Sequence, residues 1–269
     1  LYPKKEKPQN PQRKQKKSAW KPKEKMRYKN CIGKKFQPMN KYATLYIVLL
    51  FAFCCPVQSQ EIIDKKTVIH FVPIANGKPV QPDSIYQNAF GETYSVSKLK
   101  YYLSNFSIGS KVDAGIYLID AFAADSVILQ LPLNAKGILH FQLGVDSIYN
   151  CSGAQSGVLD PLNGMFWTWN TGYINFKLEG YSAFSSTNIK NIEYHIGGYA
   201  GENKTMRKIQ LPYSLPKKTQ DIYIQFNLDN FWKSSSAFKI AELPVITSPG
   251  KNAKIVADNF SALFSILPQ

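Results

Sequence analysis

From Glu61 onward the apolar residues come in short runs: Thr67 to Ile74, Lys98 to Ile108, Gly115 to Ile119, Val127 to Leu131, Ile138 to Leu143, Tyr173 to Leu178, Ile189 to Ile196, Met206 to Leu211 and Asp221 to Leu228. Each is rich in β-branched and aromatic residues and is closed off by turn-forming clusters such as Asn76-Gly77-Lys78-Pro79 and Ser152-Gly153. Runs of this length are strand-sized, and no long helical pattern is interleaved to carry parallel crossovers. The chain is therefore expected to be all-β, an antiparallel β-sandwich of about nine strands. One segment departs from this pattern. Between Asn252 and Leu267, after the breaker pair Pro249-Gly250, the residues Ile255, Val256, Phe260, Leu263 and Phe264 recur at three and four. That spacing predicts one short C-terminal amphipathic helix packed on the sandwich.

The formal charge of +15 suggests a nucleic-acid or anionic-surface binder until the charges are located. Residues 1–59 hold 15 of the 33 Lys and Arg and two of the 18 Asp and Glu, so they carry +13 and the other 210 residues +2. No nucleic-acid partner is expected for so nearly neutral a domain. Residues 1–38 are mostly Lys, Pro, Gln, Asn and Arg without apolar periodicity, which predicts a basic disordered extension. Met39 stands where translation in the cell is expected to begin, which would leave residues 1–38 outside the native protein. Lys41, the 13-residue run Ala43 to Cys55 and the small residue Ser59 make a signal peptide over 39–59. Thirteen residues fall short of the roughly 20 that a permanent span needs, so no stable membrane span is expected. The expectation is an exported protein, periplasmic or extracellular. Lipoprotein anchoring at Cys54 or Cys55 is the lesser alternative, because Phe51-Ala52-Phe53 is bulky for such a site. Cys31, Cys54 and Cys55 all precede the domain expected over 60–269, so Cys151 stands alone there and no internal disulfide is predicted. A monomer or weak oligomer is expected.

The most distinctive stretch reads Gly144-Val-Asp-Ser147, Leu159-Asp-Pro161, Gly164-Met-Phe-Trp-Thr-Trp169 and Gly172-Tyr-Ile-Asn-Phe-Lys-Leu-Glu-Gly180, followed by Tyr194-His-Ile-Gly-Gly198. It describes a strand, a Gly- and Asp-rich loop, and a second strand opened by large aromatics. Trp167 and Trp169 alternate onto one face if the segment is extended. These runs closely resemble the MbnP-like family, secreted copper-related proteins that include Bacteroidota-type members. Weaker matches at Asn76 to Val80, Leu99 to Asn105, Tyr117 to Asp120 and Ala257 to Phe260 extend the resemblance across nearly the whole domain.

The resemblance implies a β-rich exported domain with a role in copper binding or copper homeostasis, and a dihaem peroxidase of the MbnH type as partner. It implies copper as cofactor, held by two histidines beside an oxidised tryptophan, a ligand type that suits copper. His195 stands at one family ligand position. The other positions, a Trp-x-His on the first strand, read Phe71-Val72-Pro73 here. His70 lies on the opposite strand face from Phe71 and Pro73 and completes the site only if a bulge shifts the register. The metal site is thus incomplete, with His195 and His70 as its candidate residues.

Each candidate has a structural alternative. His195 is equally a histidine satisfied by a neighbouring carboxylate such as Glu193 or Asp146, and His140 and Cys151 read as incidental. Trp167 and Trp169 are either aromatics that clasp the Gly-rich loop, or an exposed redox or ligand platform. Asp146, Asp160 and Glu179 lack the spacing of a calcium loop, and a turn role suits Asp160-Pro161. No enzyme is expected: Ser156 follows Gly153 after two spacer residues where a nucleophile elbow has one, and neither a phosphate-cradling glycine loop nor a C-x-x-C occurs. The alternative function is a metal-free secreted β-sandwich that recognises a glycan or a protein through its aromatic segment.

Overall fold

A computed structural model describes residues 66–123, 125–131, 133–170, 172–216 and 221–268. The predicted basic extension over 1–38 and signal peptide over 39–59 lie outside the described residues.

Fourteen strands are present among the described residues: β1 (Thr67–Ala75), β2 (Lys78–Pro79), β3 (Ile85–Gln87), β4 (Thr93–Ile108), β5 (Lys111–Asp120), β6 (Ser126–Leu129), β7 (Lys136–Leu143), β8 (Phe166–Trp167), β9 (Gly172–Tyr181), β10 (Asn191–Gly197), β11 (Arg207–Ser214), β12 (Asp221–Asn227), β13 (Val245–Ile246) and β14 (Phe264–Ile266). Three short helices accompany them: α1 (Ser147–Cys151), α2 (Asp229–Trp232) and α3 (Lys251–Ala257). The nine predicted runs all carry strands. The five further strands are two or three residues long, too short to leave a periodic signal.

The strands form two sheets. The smaller runs β14-β12-β1-β2, with β6 also paired to β1. The larger runs β11-β7-β4-β9-β10-β13, with β3 and β5 on β4 and β8 on β9. Most pairs are antiparallel, as expected, but β1 pairs β12 and β10 pairs β13 in parallel, so the sheets are mixed. Parallel pairing needs a long crossover, and here the chain between β1 and β12 builds the whole of β4 to β11 before returning.

Alternation decides which face of each strand is buried. Along β1, Ile69 and Phe71 are buried while His70 and Val72 are half-buried on the other face. Ile222, Ile224 and Phe226 of β12 join them in the core. From the large sheet come Leu99, Tyr101 and Leu103 of β4, Phe176 and Leu178 of β9, and Tyr194 and Ile196 of β10. The Tyr101 and Phe226 rings stack 4.8 Å apart across the two sheets, and Phe71 meets Tyr101 edge-on at 6.3 Å. One apolar layer between two sheets is the sandwich arrangement that the strand pattern predicts.

The C-terminal helix is shorter than the spacing suggests. It ends at Ala257, a 3-10 turn covers Phe260–Leu263, and Phe264–Ile266 becomes β14. Tertiary ties end it. Asp258 is paired with Arg207 at 2.5 Å, and the Asn259 amide donates to the carbonyls of Phe231 and Ser236. The following backbone then finds hydrogen-bond partners on the edge strand β12.

Candidate functional site

The loop from Gly144 to Trp167, the first part of the distinctive segment, lies on the face of the large sheet that points away from the main core. There Tyr102, Val145, Leu159, Met165, Trp167, Tyr173 and Ile174 form a second buried cluster. Its apolar side chains hold the loop down, and hydroxyls finish the work. Tyr102 donates to the Val158 carbonyl at 3.0 Å and Tyr173 to the Leu159 carbonyl at 3.0 Å. Asn150 donates to the Val145 carbonyl and accepts from the Tyr173 N–H. Asp160 accepts from the Leu162 N–H at 2.8 Å and starts the 3-10 turn Pro161–Asn163, which is the turn role its sequence suggests.

Next to this loop a row of charged residues crosses β10, β9, β4 and β5. Strand register aligns His195, Lys177, Lys100 and Asp120 in one row, and Glu193, Glu179 and Lys98 in the next. The Glu179 carboxylate is the hub. His195 Nε2 lies 2.9 Å from its Oε1, Lys98 Nζ 2.7 Å from its Oε2, and Lys177 Nζ 3.6 Å from Oε1. The hydrogen bond from His195, helped by Lys98 and Lys177, outweighs burial and lowers the Glu179 carboxyl to about 2. An ionised carboxylate only accepts, so His195 Nε2 carries a proton in this pair, and in the neutral imidazole the lone pair is then on Nδ1. Lys177 is nearly buried and also donates to the Gly164 carbonyl; burial lowers its ammonium below the usual lysine range.

The residues singled out in the sequence fall in separate places. His70 lies on the outer face of the small sheet, stacked on Tyr223 at 4.6 Å and bonded to Asp221 at 3.1 Å. His195 lies on the outer face of the large sheet, so the main core separates the two imidazoles. β1 keeps its register opposite β12 from Val68 to Ile74, and no bulge turns His70 inward. Phe71 is wholly buried between the sheets. The carboxylate that satisfies His195 is Glu179, not Glu193 or Asp146: Glu193 accepts from Asn191, and Asp146 from Asn105 and Gln142. Cys151 is exposed. Among the described residues no group of three or more His, Cys, Asp or Glu is placed to hold a metal ion.

The two tryptophans differ in burial. The extended segment stops at Trp167, so Thr168 to Asn170 turn, and the indoles do not alternate along one strand face. Trp167 is buried in the loop cluster, whereas Trp169 is 65% exposed. Their rings still touch, 5.8 Å apart and tilted by 45°. Beside them lies a shallow recess of about 220 Å³ lined by Trp167, Asn170, Tyr199 and Asn203. The glycines of the Tyr-His-Ile-Gly-Gly run make this possible. A Cβ on Gly197 would come within 2.6 Å of the Trp167 ring and of the Tyr173 carbonyl, so only glycine lets the indole lie on β10.

Glu179, Lys98 and Lys177 carry the electrostatics of the site; the sequence marks Glu179 only as an acidic residue without calcium-loop spacing and singles out neither lysine. Their spacing did contain a signal: Lys177 and Glu179 lie two apart on one strand, as do Lys98 and Lys100.

A family model described as MbnP matches residues 64–248. Among solved structures, MbnP from Methylosinus trichosporium is similar, at 16% sequence identity and a TM-score of 0.49, over 64% of this chain and 78% of that one. No curated protein matches. The matched segment takes in the large sheet, the small sheet apart from β14, the loop cluster and the charged row, and it spans well over half of the sequence: the chain belongs to the MbnP family.

Proposed function

We propose that this protein is an exported, non-enzymatic MbnP-family protein of copper handling, with His195 as its copper-facing residue. The observation that carries this reading is the His195–Glu179 pair. Metal-ligating imidazoles commonly donate their second ring N–H to a carboxylate, which fixes the tautomer and aims the free nitrogen. Here Glu179 accepts the hydrogen bond from Nε2–H at 2.9 Å, so that in the neutral ring Nδ1 is the atom free to bind a metal. A closed two-histidine copper centre does not fit the residues present. His70 is on the far side of the core, Phe71 and Pro73 offer no ligand, and the Lys98 and Lys177 ammonium groups add positive charge beside Glu179. What fits is a labile single-imidazole contact, with the remaining ligands supplied from outside the chain. A dihaem peroxidase of the MbnH type is the partner that family membership supports.

Copper titration of the full chain tests this. Cu(I) or Cu(II) binding is expected to be lost in His195→Ala and weakened in Glu179→Gln. Equal affinity in the wild type and His195→Ala would overturn it.

A second reading, a metal-free recognition module for a glycan or protein, is favoured by Trp169. An exposed indole seated on a buried one, beside a recess lined by amides and Tyr199, is suited to stacking against a partner. Tryptophan fluorescence separates the readings: a carbohydrate or protein ligand that shields the emission of the wild type but not of Trp169→Phe supports recognition. Equal shielding of both proteins removes its motive.

A further inference from the structure

A second region of the large sheet, remote in sequence from the tryptophan segment, has the makings of a ligand site. Where β4 passes β7, the ladder slips: Ser104 opposes Gln142 but Ser107 opposes His140, so three steps on β4 match two on β7. The extra residue is accommodated at Asn105, whose φ of 55° lies in the left-handed region. Bulges of this kind re-aim side chains and interrupt pairing, and they are common beside binding sites. Here the slip opens a trough of about 450 Å³, within the range of small-molecule sites.

The trough's hydrogen-bonding side chains are Asn105 and Ser107 from β4, His140 and Gln142 from β7, and Lys208 and Gln210 from β11; Phe141 and Ile209, which belong to the main core, lie between them. Register places Lys208 opposite Gln142 and Gln210 opposite His140, so the β11 and β7 side chains are immediate or diagonal neighbours. Two of the amides are set in advance. Asn105 Nδ2 donates to Asp146 Oδ2 at 2.8 Å and Gln142 Nε2 to Asp146 Oδ1 at 2.8 Å. With both NH2 groups committed to one carboxylate, the two amide oxygens are left as acceptors for a ligand. Lys208 is exposed and has no ion-pair partner among the described residues, unlike its neighbour Arg207, which is held by Asp258. No carboxylate lines the trough, because Asp146 sits behind the amides that it orients.

We propose that this trough binds a sugar acid, a hydroxylated ring that carries a carboxylate. The Lys208 ammonium receives the carboxylate, with Gln210 and His140 beside it as further donors. Ring hydroxyls donate to the oxygens of Asn105 and Gln142 and exchange a hydrogen bond with Ser107. A purely apolar ligand would leave these polar groups unpaired, and a simple anion leaves the two oriented acceptors unused.

Titration calorimetry on the full chain tests the proposal with D-glucuronate as probe and D-glucose and acetate as comparators. Glucuronate is expected to bind with a Kd of about 1 mM or tighter, and each comparator at least about tenfold more weakly. Lys208→Gln should weaken glucuronate at least about tenfold and Gln210→Ala several-fold. Both positions are solvent-facing, so circular dichroism should show both variants folded as the wild type. Trp169→Ala should leave glucuronate binding unchanged, which separates this site from the aromatic recess. The proposal is overturned if glucuronate gives no heat up to about 10 mM, or if Lys208→Gln binds as the wild type does. It is also overturned if glucose or acetate binds as tightly as glucuronate, or if Trp169→Ala abolishes binding.

Discussion

Glu179 shows how much one residue can organise. It holds His195, Lys98 and Lys177 at once, and those contacts keep its carboxyl at about 2 in the folded protein. A folded value below the ordinary 4.5 means that Glu179 contributes stability above about pH 4.5, and that this is lost as pH falls toward about 2. Thermal unfolding in metal-free buffer is therefore expected to show a steeper loss of Tm between those pH values for the wild type than for Glu179→Gln. Identical slopes would show that the carboxylate does not hold its partners in solution. Glycines matter at the same scale. A Cβ on Gly180 would lie 1.9 Å from the Ser95 carbonyl oxygen, a backbone atom of the neighbouring strand that cannot step aside. Gly180→Ala should cost about 3 kcal/mol or more by denaturant unfolding, and a loss under about 1 kcal/mol would mean that the strands separate easily. The glycine-rich motifs were visible in the sequence, but their reasons were not: the atoms that forbid a side chain at Gly180 and Gly197 come from β4 and from the loop cluster, far away along the chain.

At the scale of an element, the loop from Gly144 to Trp167 has little regular structure and holds its shape through the second cluster on the outer face of the large sheet. Tyr173 supplies both packing and a hydroxyl bonded to the Leu159 carbonyl. Tyr173→Phe keeps the ring and removes that hydrogen bond, so it should cost about 1 kcal/mol. Limited proteolysis should then cut the loop between Ser152 and Asn163 sooner than in the wild type; an unchanged cleavage rate would place the loop's stability in its apolar contacts alone. The clasping role suggested for the tryptophans was legible and holds for Trp167, because a glycine-rich loop needs apolar cover from elsewhere. That Trp169 escapes the cluster was not legible, since alternation assumes a strand that in fact ends at Trp167. The C-terminal segment has a similar history. Its spacing is helical, yet the Arg207–Asp258 pair and Asn259 stop the helix and hand the remainder to the small sheet.

Across the whole molecule the two sheets are joined by rings. Tyr101 and Phe226 stack on one another and each also meets Phe176 and Phe264, and Tyr101 is wholly buried, with no partner for its hydroxyl among the described residues. Burial pushes that phenol well above its usual range. An unsatisfied buried hydroxyl costs free energy, so Tyr101→Phe should be neutral or stabilise by about 1 kcal/mol, whereas Phe226→Ala should lose about 3 to 5 kcal/mol. Destabilisation by Tyr101→Phe of more than about 1 kcal/mol in denaturant unfolding would reveal a partner for that hydroxyl. The sequence by itself determined the nine main strands, the sandwich, the family, and the aromatic and histidine residues worth testing, because side-chain alternation and turn residues act over a few positions. Only the tertiary structure decided that β1 and β12 run parallel, that Glu179 is the partner of His195, and that His70 lies across the core from it. Those outcomes depend on which sheet each strand joins and which face it turns outward, and contacts between residues far apart in the chain set both.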